Sequence, residues 1–282
     1  MLPILFTIPK FKVGPFALGP MPIHTYGMMI VISFIVGMWL VRKRAHLYGF
    51  QPDKVLDMGF WALIAGVIGA RVAFILQELP YYLQHKNELY SLQFSGLTSF
   101  GGEILAVVAI IAWARKNKYG IVAILDLAGP GYVLGYAIGR IGCFLNGCCY
   151  GGVCSPNLPW GVHFADAVGL HHPAQLYDTL MNLVALAVLL WAEKRRLLSG
   201  QLAALTLILH GSARFIYEFW RAGTEDEVRH GLASSTYWGN LPITQGHAMA
   251  LALIAIGAVW FVIASRRAIV ISPTDTTKMT AA

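Results

Sequence analysis

Two short stretches hold the residue types most able to do chemistry. GRIGCFLNGCCYGG (139–152) gathers Arg140, Asn146 and three of the chain's four cysteines. HGSARFIYEFWR (210–221) places His210, Arg214 and Glu218 at i, i+4 and i+8, a spacing that puts all three on one helical stripe. Glu218 can pair with Arg214 or Arg221 and hold a guanidinium in place. Guanidinium forks match phosphate oxygens two at a time and stay charged at any relevant pH. A polar stripe of this kind on an otherwise apolar helix looks inward and points to an anionic ligand.

The cysteines leave several chemistries open. Cys143, Cys148, Cys149 and Cys154 follow C-x4-C-C-x4-C, whereas zinc sites use separated pairs two to four residues apart. Adjacent cysteines seldom share one ion comfortably, so neither a metal nor a cofactor is expected. At least one disulfide is plausible if the loop faces an oxidising compartment, with connectivity open. A catalytic thiol is a further option, although no thiol-activating partner stands beside it in sequence.

The elements that must position these groups are set by lipid. Hydrophobic residues make up 57% of the 282 and charged residues 12%, about half the usual charged share of a soluble domain. Seven apolar stretches, roughly 24–41, 56–77, 97–114, 121–141, 174–192, 201–220 and 245–265, bracket the ~20 residues that cross the hydrocarbon. The fold expected is therefore an all-α integral membrane protein with seven transmembrane helices, a single polytopic domain over 1–267 and a polar, disordered tail over 268–282. The N-terminus has no basic n-region or small-residue cleavage pattern, so its first apolar span is expected to be retained.

Basic clusters follow spans one, three, five and seven: Arg42, Lys43 and Arg44; Arg115, Lys116 and Lys118; Lys194, Arg195 and Arg196; Arg266 and Arg267. All fall on one side, which the positive-inside rule makes cytoplasmic, with the N-terminus outside and the C-terminus inside. The net charge of +7 then reflects topology, and no nucleic-acid partner is implied. The connections at about 79–96, 142–173 and 219–244 face outward as a small head region. Arg71, Glu103, Asp126, Arg140, Asp178, Arg214 and Glu218 sit in or near spans, where a charge costs about 2.5–3.5 kcal/mol on insertion scales and needs a partner or a purpose. Gly131, Gly135 and Gly139 form a ladder of small residues suited to close helix approach. Inward arginines near the outer leaflet suggest a phospholipid head group.

Beyond these physical readings, the chain resembles the prolipoprotein diacylglyceryl transferase family along essentially its whole length. IHTYGMMI (23–30), with Tyr26, looks like the family's first-span segment; GAR (69–71) is similar to its glycine-arginine element; GRIGCFLNGCCYG (139–151) resembles the signature G-R-x-G-x-F-x-N-G-x-x-x-G. HPAQLYD (172–178), ARFIYEFWR (213–221) and ITQGH (243–247) complete an ordered set. The resemblance implies a multi-pass enzyme of the bacterial inner (cytoplasmic) membrane. It would move the diacylglyceryl group of phosphatidylglycerol onto the lipobox cysteine of a prolipoprotein signal peptide, releasing glycerol 1-phosphate. For such a reaction Arg140 and Arg214 are the expected stabilisers of charge on the leaving phosphate, with Glu218 orienting Arg214 and Arg71 assisting at the head group. Asn146 and Gly151 would shape the glycerol site. Tyr26, Gln175 and Tyr177 would give hydrogen bonds at the outer end, with His172 and Arg221 also contacting substrate.

Departures from the family pattern bear on the base. Phe100 stands where many members have a histidine, Cys143 where an asparagine and Cys148 where a glutamate often stand, and His210 occupies a tyrosine position; Glu103 is also unusual after Gly-Gly. His210, one turn from Arg214, is the expected proton acceptor for the incoming thiol; the plainer alternatives are that it bonds phosphate or packs. His24 and His172 are weaker candidates, and His171 is read as solvated loop. The rival readings are a paralogue with altered or lost transfer, a transporter or channel with a polar route to the cytoplasmic face, and a thiol–disulfide enzyme using Cys148 and Cys149.

Overall fold

The computed structural model describes residues 4–9, 11–13, 16–18, 21–85, 99–165, 167–195, 197–239 and 241–266. A helix stands on each of the seven apolar stretches: α1 (Thr25–Arg44), α2 (Pro52–Gln77), α4 (Ser99–Lys116), α5 (Ile121–Asn146), α6 (Ala174–Glu193), α7 (Gln201–Glu218) and α9 (Gln245–Arg266). Two short helices, α3 (Leu79–Gln84) and α8 (Glu225–Arg229), lie in connections. Five of the helices (α1 with its following turn, α2, α5, α6 and α9) are long and apolar enough to cross a membrane. Their outer faces expose large apolar side chains such as Ile35 and Trp39, Leu180 and Val184, and Ile256 and Val259. Water would not tolerate so much apolar surface, and lipid does. The chain is a multi-pass membrane protein.

Two details depart from the sequence reading. Short strands interrupt the expected all-α architecture: β1 (Ile4–Ile8) pairs antiparallel with β4 (Met21–His24), and β2 (Phe11–Val13) with β3 (Phe16–Leu18). Proline and glycine recur every few residues there among β-branched and aromatic side chains, a pattern that breaks helices and suits short strands. A two-residue parallel pair, β5 (Ala222–Gly223) with β6 (Ser235–Thr236), lies after α7. Helix α5 also runs beyond the expected end of its span, so Cys143 and Asn146 are helical. It stops at Gly147 (φ 79°), where the Gly147 N–H bonds Phe144 O and the Cys148 N–H bonds Cys143 O, the left-handed stop that glycine allows. The 268–282 tail, Arg196, Arg267 and residues 86–96 of the first outer connection lie outside the described residues.

The chain divides into two compact units, Val41–Ile124 and the described residues on either side of it. In the Val41–Ile124 unit α2 packs on α4 through glycine. A Cβ on Gly102 would lie 3.0 Å from Gly66 O, and Gly69 meets Gly101 still more closely. The Trp113 indole donates to Asp57 at 2.7 Å and stacks on Tyr119. Arg71 sits over the Tyr82 ring at 5.6 Å.

The other unit contains α5, α6, α7, α9 and α1 as far as Leu40. Small residues again set the approach: a Cβ on Gly37 would lie 2.9 Å from Gly131 O, one on Gly135 3.1 Å from Ser33 O, and one on Gly257 2.8 Å from Ala204 O. The third rung of the expected ladder, Gly139, has nothing within 4 Å, so only two rungs make the contact.

At the end of this unit away from Arg140, Asp126 of α5 accepts the Gly200 and Ala203 N–H groups, each at 2.7 Å, and so caps α7. This explains one buried acid without any ligand, because orphan N–H groups at a helix start need an acceptor and favour negative charge. Asp126→Ala is expected to cost about 3 kcal/mol, since each charge-assisted bond contributes roughly 1.5–3 kcal/mol. A thermal or denaturant melt of the purified protein in detergent measures this; an unchanged melt would remove Asp126 as the cap.

Candidate active site

Connectivity brings the chemistry to one end of the larger unit: the end of α5, the starts of α1, α6 and α9, and the end of α7. Three guanidinium groups surround one ring. Tyr217 is fully buried, and Arg140, Arg214 and Arg221 stand 4.5, 4.9 and 5.3 Å from its centroid. Arg140 Nη2 donates to the Tyr217 hydroxyl, which in turn donates to Cys149 O at 3.3 Å. A buried aromatic face attracts cations and fixes their planes.

Two buried carboxylates hold this cluster. Asp178 Oδ2 lies 2.9 Å from Arg140 Nε and accepts the Tyr136 hydroxyl at 3.0 Å, while its Oδ1 accepts Asn182 Nδ2 at 2.7 Å. Glu218 pairs with Arg214 Nη1, lies 3.6 Å from Arg221 Nη1 and accepts the Thr244 hydroxyl at 2.9 Å. A Cβ on Gly246 would lie 2.5 Å from the Glu218 carboxyl carbon, so glycine there leaves room for the pinned acid. Three cations against two anions leave one positive charge in an apolar setting, the complement of one phosphodiester. Arg214 is the most open of the three, its side chain 24% exposed against 16% for Arg221 and 11% for Arg140.

His210 belongs to the same network. Asn182 uses its NH2 on Asp178, which turns its carbonyl oxygen toward His210 Nδ1 at 2.8 Å. The His210 proton therefore sits on Nδ1, and the Nε2 lone pair faces the Tyr132 hydroxyl at 3.4 Å. Tyr132 and Tyr136 box the ring edge-on.

Around the end of α5, Gln175 is fully buried and donates to Cys148 O at 2.7 Å, while its Oε1 has no partner among the described residues. Arg221 Nε is likewise buried and unpartnered there, so an acceptor and a donor are both unused. Asn146 reaches the Cys148 thiol. Gly151 lies where its Cβ would stand 2.8 Å from both the His172 Cβ and Trp220 O, and its N–H bonds His172 O. Only a glycine lets the 147–152 loop approach both neighbouring strands of chain so closely. Tyr26 on the first turn of α1 lies against Gly142, a Cβ there being 3.6 Å from its ring.

Other expected residues have different surroundings. Tyr177 accepts the Trp160 indole N–H at 2.7 Å and faces His172 Nδ1 at 3.3 Å. Burial, with the neighbouring His171 adding to it, holds the His172 imidazole below its usual range. His171 is not solvated loop: it is fully buried, with Nδ1 2.9 Å from Gly151 O and Nε2 3.2 Å from Val168 O. Its backbone also bridges Val162, which pulls the ring inward beneath Tyr150 and Phe164. Arg71 and Phe100 belong to the Val41–Ile124 unit.

Sequence reasoning left Asp178 open between a bundle partner and a functional purpose, and missed Asn182, Tyr136, Tyr217 and Thr244. A signal existed: Gln175, Asp178 and Asn182 repeat at three and four residues on α6, a polar stripe matching that of α7.

The profile of the family described as prolipoprotein diacylglyceryl transferase matches residues 14–263. The chain belongs to the prolipoprotein diacylglyceryl transferase family. Phosphatidylglycerol–prolipoprotein diacylglyceryl transferase of Nitratidesulfovibrio vulgaris (strain DP4) is 32% identical over 258 residues, covering 90% of this chain and 94% of its own. The proteins of the same name from Paracidovorax citrulli (strain AAC00-1) and Methylobacillus flagellatus are 34% and 33% identical, over 90% and 92% of this chain and 97% and 98% of theirs. Within the prolipoprotein diacylglyceryl transferase family, this member carries its cysteine-rich segment directly over the arginine cluster, through the Tyr217 bond to Cys149 O.

Proposed function

We propose that this chain transfers the sn-1,2-diacylglyceryl group from phosphatidylglycerol to the lipobox cysteine thiol of prolipoproteins and releases glycerol 1-phosphate. The observation that carries this reading is the trio of guanidinium groups around Tyr217 with only two carboxylates to balance them. Its single surplus positive charge suits the phosphodiester of an anionic lipid. The names of the relatives, which specify phosphatidylglycerol and a prolipoprotein, support the same assignment.

In the reaction the peptide sulfur attacks the glyceryl carbon, the carbon–oxygen bond to phosphate breaks, and negative charge grows on the departing phosphate. Arg140 and Arg214 stabilise that charge from fixed positions, which is worth more in a dry site than in water. Glu218 orients Arg214 and Arg221, and Asp178 orients Arg140. Gln175 Oε1 and Arg221 Nε, unused among the described residues, bind the glycerol and phosphate oxygens. Asn146 and Gly151 shape that end of the pocket, Tyr26 closes it from α1, and His172 and Tyr177 line its approach.

The sulfur's proton goes to His210 Nε2. An unperturbed thiol, pKa about 8.5, is only a few per cent thiolate at neutral pH and gains from a base. His210→Gln is expected to lower kcat about 100-fold, within the range of roughly 10²–10⁴ for general-base contributions, while leaving KM for phosphatidylglycerol unchanged. Near-normal transfer by that variant would end the base assignment.

The topology that goes with this chemistry is a single polytopic domain over residues 1–267 with seven spans, N-terminus outside and the 268–282 tail in the cytoplasm, set in a bacterial inner membrane. The connections over about 142–173 and 219–244 then form the head above the arginine cluster. Purified protein incubated with phosphatidylglycerol vesicles and a lipobox peptide should yield a diacylglyceryl thioether and glycerol phosphate in equal amounts. Absence of both products from folded protein, with failure to sustain a strain depleted of its own transferase, would return the chain to the status of an inactive paralogue.

A further inference from the structure

Cys143, Cys148 and Cys149 present three thiol sulfurs that all lie within 4.8 Å of one another. The spacing in sequence argued against a shared ion because adjacent cysteines point apart on regular backbone. Here the backbone is not regular. Helix α5 ends at Gly147 (φ 79°), and Cys149 itself takes a left-handed conformation (φ 61°). The chain reverses and hangs Cys148 and Cys149 over the last turn of α5, where Cys143 is buried, so that Cys148 Sγ comes within 3.7 Å of Cys143 O.

We propose that these three cysteines form a three-thiolate site for a cuprous ion. With metal–sulfur bonds of about 2.3 Å, three sulfurs in a plane around an ion stand about 4.0 Å apart, a spacing this cluster reaches by small side-chain rotations. Soft thiolates select cuprous or zinc ions over harder cations. Zinc in closed sites takes four ligands, and no fourth histidine, cysteine or carboxylate joins the group among the described residues, which favours the ion content with three. Binding replaces three S–H protons by one cuprous ion, and the protons leave to solvent; copper stays in the +1 state, so no electron is exchanged. The resulting complex carries two negative charges. Arg140 Nη1, 3.9 Å from Cys143 Sγ, offsets part of that charge, so the loaded site reverses the surplus of the arginine cluster and the ion-free protein is the form that takes the phosphodiester. Cys148 and Cys149 are half-buried, leaving a path for entry, and Cys154 is buried outside the group.

The test uses the full chain in detergent, reduced, freed of reductant without air, and titrated with cuprous ion against a coloured cuprous chelator. One equivalent should be withheld from the chelator, and copper-edge absorption should show three sulfur neighbours. Cys148→Ser and Cys149→Ser should each weaken retention at least tenfold, whereas Cys154→Ser should leave it unchanged. Melting of the metal-free variants separates lost binding from lost fold, and the absorption spectrum of the wild type answers the question even if a variant fails to fold. Failure of the wild type to withhold copper, undiminished retention by both serine variants, oxygen or nitrogen neighbours in place of sulfur, or preferential uptake of zinc with four ligands would each overturn the site.

Discussion

Arg140→Lys should lower kcat for diacylglyceryl transfer by about 10²–10³, the loss typical of removing one fixed donor from a developing anion. The charge survives this substitution, so the loss would be geometric. The arginine lies beside Asp178 through Nε, donates to the Tyr217 hydroxyl through Nη2 and sits over the Tyr217 ring. An ammonium group is a point charge on a flexible stem and cannot satisfy the acid and the phenol together. Rates are measured with phosphatidylglycerol vesicles and a lipobox peptide, alongside KM for the lipid. A lysine variant within fivefold of wild type would mean that the Arg140 guanidinium does not grip the departing phosphate.

Asp178 is where the second large effect is expected. Its carboxylate is fully buried and serves three partners, Arg140, Tyr136 and Asn182, and through Asn182 it fixes the proton of His210. Asp178→Ala leaves a buried guanidinium without its acid, which costs about 3–5 kcal/mol when one member of a buried pair is removed. Asp178→Asn keeps the volume but turns an amide against donors, and should fold while losing about 100-fold in kcat, comparable to the loss of a general base. The two variants separate support from positioning: a stable, folded asparagine variant with unaltered kcat would reduce Asp178 to a bundle contact.

Several parts of the molecule were legible in residue order. All seven apolar stretches carry helices, and five of these are long and apolar enough to span, because a span needs a run of apolar residues whose backbone bonds to itself. The i, i+4, i+8 stripe of α7 gave the Arg214–Glu218 pair, since that contact is local to one helix. The family motifs pointed to Arg140, Asn146, Gly151 and Gln175, and all four lie at the same end of the larger unit. Less legible were the strands before α1, where β1 meets β4 only after the β2–β3 pair intervenes, and the extension of α5 past its apolar run, where the stop was set by Gly147 rather than by hydrophobicity.

Sequence by itself determined the solvent of this protein, its helices, its family and the residue types at its site, because these follow from composition, periodicity and local spacing. Tertiary structure alone decided what each charge does. Asp126 caps a helix and Asp178 clamps an arginine, although both are single acids in apolar helices. It likewise put three arginines around Tyr217, sank His171 into the loop core and folded three cysteines onto one point. The physical reason is the same in each case: partners more than a helical turn apart are chosen by how helices pack and where a left-handed residue turns the chain, and neither is written in the local spacing of the residues involved.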